Sequence, residues 1–553
     1  MRFKTIAIYL FTLISFSVFA QNMAEYTNSW EGKIENKKTF NFSIEIDDYK
    51  SENPVFIISN HNVILKKSFD KTENKLILVK VGENFSFQGR LSEKNSEING
   101  FIKSGLLLYH IKLNKTKTGS FTGDWNILMA DELKSQNFYL SLENGSGNDY
   151  EAYPILGDNR FTGTWCGNFQ KKNDTISFSD IKTGLNFKGK LGEKKIQLSV
   201  YLEKHFVTEI ELNPSQTDWE IGEFVTIAKK TDQKINLDEL EKLILNDSLP
   251  NTHSILISKK GKTIYEKYFG GYNDKIPHDT RSASKSISSA IVGIAKDKLL
   301  FKDLDQSIFE FLPQEYQIYN EGLKNKIDIK SLLTMSSGLD ADDYTNIRTS
   351  SASEGNYQNT QNWTKTIISA TMINEPNTHA NYGSANPHLL GVAMDSVVSE
   401  PLDIFIDKNL FEKLGITNYI IQNDNVGNPY FGGGIYLTPK DMMKFGQLYL
   451  QHGIWENEQV LSKEWVVNSF KNYRNLENVP DKNGYGYLWW HNTYEVNGKF
   501  IESIEARGNG GQYIFVIPEL EIVTVITSGN YRNGKSQQPE LILENYILSK
   551  LLN

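Results

Sequence analysis

The sequence predicts an α+β C-terminal domain, an antiparallel sheet with helices, preceded by two tandem all-β units. Three observations predict it. Residues 30 to 214 run as short alternating stretches between Asn, Gly, Asp and Lys turns, most clearly at Phe40-Asn41-Phe42-Ser43-Ile44-Glu45-Ile46. That region repeats itself. Beyond about residue 235 the apolar spacing becomes helical and is framed at both ends by strand-like runs.

In chain order, the N-terminus comes first. Arg2 and Lys4 precede an apolar run from Ile6 to Phe19 that ends Val18-Phe19-Ala20, the order of a secretory signal peptide cleaved after Ala20. About 14 apolar residues fall short of the ~20 a spanning helix needs, and no cysteine follows to carry a lipid. Residues 1–20 are expected to be a leader, and the mature protein to be exported, periplasmic or secreted, with no stable membrane span.

The β region carries an internal repeat. Phe85-Ser86-Phe87-Gln88-Gly89-Arg90-Leu91 matches Leu185-Asn186-Phe187-Lys188-Gly189-Lys190-Leu191, and Trp30 followed by Asn41-Phe42 parallels Trp125 followed by Asn137-Phe138. Two copies of roughly 90–100 residues suggest two antiparallel barrels or sandwiches, too few for a solenoid. The expected units are 23–118 and 119–230. No cluster there has catalytic chemistry, so a structural or positioning role is expected, with glycan or protein contact as the alternative.

The domain expected over 235–553 starts with a helix near Asn236 and a hairpin, Ser254–Ser258 with Thr263–Phe269, around Lys260-Gly261. Helical patterns then cover Ile329–Met335, Asn362–Ile373, His388–Val398, Pro439–Gln451 and Lys463–Phe470. Strands return at Tyr513–Ile517 and Glu521–Thr527 before a last helix, Glu540–Leu552. Pairing the N- and C-terminal strands, with a helix after Ser282 behind them, makes one sheet.

Composition narrows the function. The net charge of −8 and the lack of a basic block argue against nucleic acid as partner. The nine histidines are scattered, with no pairing suited to zinc. Cys166 is the only cysteine, which rules out an intrachain disulfide and suggests a buried structural thiol. Gly529-Asn530-Tyr531-Arg532-Asn533-Gly534-Lys535-Ser536 fits a phosphate-loop pattern, but Pro539 and the few residues beyond it leave no room for a nucleotide-binding sheet, so a loop is expected.

Chemistry concentrates at Ser282-Ala283-Ser284-Lys285. Residues three apart on a helix share a face, so the Lys285 amine can lie beside the Ser282 oxygen. A serine becomes a nucleophile only when a group takes its proton and another lowers the charge cost, and a helix N-terminus favours an alkoxide there. The next residues, Ser286 to Ala295, are small or apolar on nearly every side, the texture of a buried helix. Tyr382, in Asn381-Tyr382-Gly383-Ser384, offers a phenol to shuttle a proton. Arg507-Gly508-Asn509-Gly510-Gly511-Gln512 enters a strand, and its glycines let a substrate lie on the strand edge with a backbone N–H at an oxyanion.

Taken in order, Arg281-Ser282-Ala283-Ser284-Lys285-Ser286, Leu333-Thr334-Met335-Ser336-Ser337-Gly338-Leu339, Tyr382-Gly383-Ser384 with His388, and Gly508-Asn509-Gly510-Gly511-Gln512 resemble the serine β-lactamase superfamily. The resemblance spans roughly residues 240–550 and is closest to the class C β-lactamase-like branch of esterases, D-amino-acid peptidases and 6-aminohexanoate-dimer hydrolases. It implies a β-lactamase/transpeptidase-like fold and a cofactor-free acyl-enzyme mechanism. Ser282 would attack, Lys285 and Tyr382 would handle protons, and the N–H groups of Ser282 and Gln512 would form the oxyanion hole.

Two positions depart from the superfamily pattern. The third motif carries Lys or His where this chain has Asn509 before Gly510-Gly511, so the cationic seat for a substrate carboxylate is missing, with Arg507 as a candidate substitute. Ser384 stands where many relatives have Asn. Both favour a small ester or amide substrate contacted by Ser384, Asn509, Gly510 and Gly511, with Asp342 of the acidic loop Leu339–Tyr344 as an amine seat. The expected function is an exported serine hydrolase cleaving esters or amides, without metal or cofactor. The alternatives are a β-lactam-binding or D-amino-acid peptidase acting on peptidoglycan, and a catalytically idle receptor with a ligand-binding β domain.

Overall fold

A computed structural model describes residues 23–47, 49–70, 76–127, 136–145, 149–156, 166–215, 235–531 and 533–552. The expected leader and the expected boundary at 230 lie outside these residues.

The alternating sequences form antiparallel sheets. Seven strands, from Asn137–Asn144 to His205–Pro214, pair each with the next, and Ser29–Lys33 closes them into a barrel by pairing with the first and the last. Phe121–Asn126 does the reverse: it pairs with Asn41–Asp47 and Leu107–Lys115 in the other β unit. Each tryptophan-bearing strand therefore completes the sheet of the other repeat, with Trp30 opposite Leu140 and Trp125 opposite Phe42. This corrects the expected division at 118/119. Two similar copies offer two similar strand edges, and residue order does not say which edge receives the strand.

The first β unit also continues into the C-terminal domain. Leu107–Lys115 pairs with Ile420–Gln422, which pairs with Ile435–Leu437 and then His278–Asp279. Ile420 and Tyr436 are buried in the same apolar core as Leu107 and Tyr109. The shared sheet ends just before Ser282, so the β units bear on the site. Cys166 is buried, and burial pushes its thiol pKa well above the ordinary value, which keeps it unreactive.

In the C-terminal domain, Lys262–Tyr268, Thr252–Lys259, Ile522–Ser528, Gln512–Ile517, Lys499–Gly508 and Trp490–Val496 lie side by side in that order. The N- and C-terminal strands pair as the sequence predicts, with Leu256 opposite Val525. Lys260 and Gly261 both adopt positive φ, the geometry of a tight two-residue hairpin turn. The central strands are buried on both faces. Helix Ser284–Asp297 and the helical middle of the chain pack on one side, and Asp238–Leu245 with the C-terminal helical segment on the other. Among the described residues no helix is long and apolar enough to cross a membrane.

Helix Ser284–Asp297 is buried from Ser284 to Ala295. Three of its serines bond to neighbouring backbone. Ser284 Oγ accepts the Ile435 N–H at 3.0 Å, and Ser286 and Ser288 donate to the Leu488 and Phe431 carbonyls at 2.7 and 3.2 Å. Gly293 admits the Trp465 ring, which a Cβ there would meet at 2.6 Å. The helix is thereby fixed in rotation and depth, which fixes the side chains at its start.

Candidate active site

The strand His278–Asp279 runs straight into the turn that carries Ser282. Arg281 takes a left-handed φ of 50°, and Arg281–Ala283 forms a 3₁₀ turn that leads into the helix at Ser284, so Ser282 lies just before the α-helix and not within it. Asp279 holds this turn: its Oδ1 accepts the Arg281 N–H at 3.0 Å. Burial alone would raise the Asp279 pKa, but Arg281 and Lys182 outweigh it and hold the carboxyl down at about 2.

Lys285 Nζ lies 2.8 Å from Ser282 Oγ and donates to the Gly432 carbonyl at 2.6 Å. It also sits 5.0 Å from the centre of the Tyr382 ring. The residue is 1% exposed. Burial lowers its pKa, against the opposing pull of Glu354 and Asp343. A lysine moved towards neutrality beside a serine hydroxyl is equipped to take its proton.

The Tyr382 phenol interacts with Ser282, while burial raises its pKa and keeps it a phenol. Its ring packs against Trp490 at 4.9 Å and edge-on against Tyr344 at 5.5 Å. The backbone is clamped by Asn478, which accepts the Tyr382 N–H at 2.7 Å and donates to its carbonyl at 3.0 Å. Asp343 adds a second tie: its N–H donates to the Tyr382 carbonyl, and its carboxylate accepts the N–H groups of Ser384 and Glu354. Ser384 is buried, with its side chain beside Tyr357.

The strand entry at residues 508–512 crosses directly over the turn that carries Ser282. A Cβ on Gly508 would meet the Thr280 carbonyl oxygen at 2.2 Å, so only glycine lets the two backbones approach this closely. Gly510 and Gly511 both have positive φ, and side chains there would strike Tyr531 and Ser528. Asn509 is exposed and lines a cleft of about 560 Å³ together with Ser282, Glu354 and Tyr430. Gln512 opens its strand opposite Gly508, its side chain donating to the Ser528 carbonyl.

Two expectations are corrected. Asp342 is no amine seat: it is 5% exposed, and its oxygens accept from the N–H groups of Tyr344, Thr345 and Asn346 and from the side chains of Asn346 and Asn478. Its charge is consumed in shaping the loop. Arg507 is no substitute cationic seat, because it is buried, its Nε lies 2.7 Å from Glu505 Oε2, its Nη1 lies 3.4 Å from Glu540, and it stacks on Trp490. Asn478 and Glu354 escaped sequence reasoning, and Asp343, read as part of an acidic loop, instead ties the backbone at Tyr382, Ser384 and Glu354. Asn478 is 96 residues from the tyrosine it holds, and no spacing rule joins them.

A cleft-lining serine paired with a buried lysine and a phenol, on an antiparallel sheet covered by helices, defines a serine hydrolase. The β-lactamase family model matches residues 252–544, more than half of the chain, and the protein belongs to the β-lactamase family. A comparison with curated proteins finds no match. Among solved structures, a candidate 6-aminohexanoate-dimer hydrolase from Bacillus anthracis is 19% identical, with 55% of this chain and 83% of that one covered at a TM-score of 0.45. EstCE1, a hydrolase with promiscuous acyltransferase activity, is 16% identical over 56% of this chain and 97% of its own, at 0.45. Simvastatin synthase (LovD) from Aspergillus terreus is 15% identical over 57% and 98%, at 0.45.

Proposed function

We propose that this protein is an exported hydrolase that cleaves ester or amide bonds through an acyl-enzyme on Ser282. The observation that carries the reading is the 2.8 Å contact between a buried Lys285 Nζ and Ser282 Oγ. Neutral Lys285 takes the Ser282 proton as Oγ bonds to the substrate carbonyl carbon. The charge that develops on the carbonyl oxygen faces the backbone N–H groups of Ser282 and Gln512. Tyr382, whose phenol interacts with Ser282, relays the proton to the departing oxygen or nitrogen as the carbon–leaving-group bond breaks. Water then adds to the acyl carbon, and the same groups return the proton to Ser282.

Asn509 borders the substrate in this reading, Gly510 and Gly511 shape the strand entry beside it, Ser384 is buried behind the cleft, and a small-molecule ester or amide is the partner. Export rests on the leader pattern of residues 1–20. The test is turnover of a p-nitrophenyl ester by the purified protein beside its Ser282→Ala variant. Hydrolysis that disappears in the variant is the expected result. Equal hydrolysis by both folded proteins would remove Ser282 from the mechanism.

A further inference from the structure

The cleft in front of Ser282 is not built by the hydrolase domain alone. One wall belongs to the β units: Leu106, the barrel residues Gly167 and Asn168 at a strand irregularity, and the hairpin tip Ile181-Lys182. The tip projects from the turn between Thr175–Asp180 and Leu185–Gly192. Lys182 reaches the nucleophile turn, with Nζ 3.1 Å from Asp279 Oδ2, and that oxygen lies 3.3 Å from Arg281 Nε. One carboxylate thus serves two cations, one from the barrel and one adjacent to the nucleophile.

Two other carboxylates lie nearby, and Glu354 is close enough for its charge to act on Arg281. Asp180 folds back on its own turn, accepting from the N–H groups of Lys182 and Thr183 and from the Thr183 hydroxyl. Glu354 lines the cleft too and receives the Tyr430 hydroxyl. Among the described residues the Lys182 ammonium makes one hydrogen bond, to Asp279, and lies 5.2 Å from the centre of the Tyr436 ring, which leaves it hydrogen-bonding capacity for a ligand in the cleft it lines. Its side chain is 13% exposed and that of Arg281 30%, so both are desolvated enough to bind strongly yet open to the cleft.

We propose that Lys182, with Arg281 beside it, forms a subsite for a carboxylate on the substrate, so that the barrel selects acidic esters or amides. The proposal rests on the reading of Ser282 as nucleophile. It gives the β units a part in substrate choice and makes the active site a product of both halves of the chain.

Two matched ester pairs test it. On the acyl side, p-nitrophenyl pentanoate is compared with mono-p-nitrophenyl glutarate, which carries a carboxylate in place of the terminal methyl. On the leaving-group side, 4-nitrophenyl butanoate is compared with 3-carboxy-4-nitrophenyl butanoate. In at least one pair the wild-type kcat/KM, corrected for the uncatalysed rate, should favour the charged ester tenfold or more. That ratio should fall close to one in Lys182→Met and be largely kept in Lys182→Arg. Should Lys182→Met fail to fold, the ratio in wild type must still shrink between low and high salt, as a charge contact requires. No preference in either pair, or a preference that survives both Lys182→Met and high salt, overturns the subsite while leaving the Ser282 mechanism intact. Failure to turn over any of the four esters overturns the Ser282 reading, and the subsite with it.

Discussion

Asn478 holds Tyr382 by both of its backbone polar groups, accepting the N–H at 2.7 Å and donating to the carbonyl at 3.0 Å. The same side chain donates to Asp342 at 2.7 Å, which ties the acidic loop to the tyrosine proposed as the proton relay. Asn478 does not line the cleft, so its role is positional. Asn478→Ala should lower kcat by about 10- to 100-fold, the cost of a displacement near 1 Å, with a smaller change in KM. Steady-state kinetics on one ester check this. A loss confined to KM would contradict a positioning role.

Substitution of the phenol itself should cost more than loss of its clamp. Tyr382→Phe keeps the packing against Trp490 and Tyr344 but removes the proton relay. A loss of about 10²–10⁴-fold in kcat is expected for a general acid–base group. The loss should be greater for an anilide than for a p-nitrophenyl ester, because an amine leaving group needs the proton and nitrophenolate does not. Equal losses on both would argue against relay to the leaving group.

The pH profile tests Lys285. Its neutral form is the active one in the proposed mechanism, and burial lowers its pKa from the ordinary 10.5. The kcat/KM should therefore rise with pH through a midpoint below that value. Glu354 supports the ammonium form, so Glu354→Gln should move the rising limb to still lower pH. A shift of the limb towards alkaline pH would contradict this charge arrangement.

Much of this was legible in the sequence, and the reasons for the rest are physical. Ser282, Lys285 and Tyr382 lie in short segments whose local pattern fixes their surroundings, and the helices and outer strands followed from periodicity. The strands Trp490–Val496 and Lys499–Gly508 are legible only through the Asn497-Gly498 turn between them, both residues at positive φ, which is a strong hairpin signal. Asp342 looked functional because acidic side chains on a loop resemble a binding site. Only the three-dimensional hydrogen bonds show its charge already used. Arg507 misled in the same way, since neither Glu540 nor the Trp490 stack is near it in sequence. The exchange of the Trp30 and Trp125 strands is a choice between like edges, which a repeat conceals.

Close approach at Gly508 predicts a stability effect. A methyl group there would sit 2.2 Å from the Thr280 carbonyl oxygen, inside the backbone of the nucleophile turn. Gly508→Ala should destabilise the protein by about 1–3 kcal/mol, as overpacking does, and lower activity as the turn shifts. Thermal melting and ester turnover measured together check both effects. An unchanged Tm would contradict the contact.

The interface between the first β unit and the hydrolase domain should respond to pH. Asp403 is buried, accepts a hydrogen bond from Gln88, and has its pKa raised to about 7 by burial, with Asp395 and Asp407 adding to the rise. The folded state binds the proton more tightly than the unfolded chain does. The stability contribution is thus complete below the ordinary carboxyl pKa of 3.8 and is lost as pH rises through about 7. Asp403→Asn imitates the protonated group. It should match wild type near pH 4 and exceed it near pH 8 by a few kcal/mol, at most about 4. Denaturant titrations at the two pH values measure the difference, and a variant less stable than wild type at pH 8 would refute the account.

The most direct test of the central claim is covalent capture of the nucleophile. The folded protein is incubated with a fluorophosphonate and the adduct mapped by peptide mass spectrometry. The account predicts a single phosphonylated residue, Ser282, with labelling lost in Ser282→Ala and slowed in Lys285→Ala. Folded protein that stays unlabelled at Ser282, or that is labelled at another serine with activity lost in step, would contradict it.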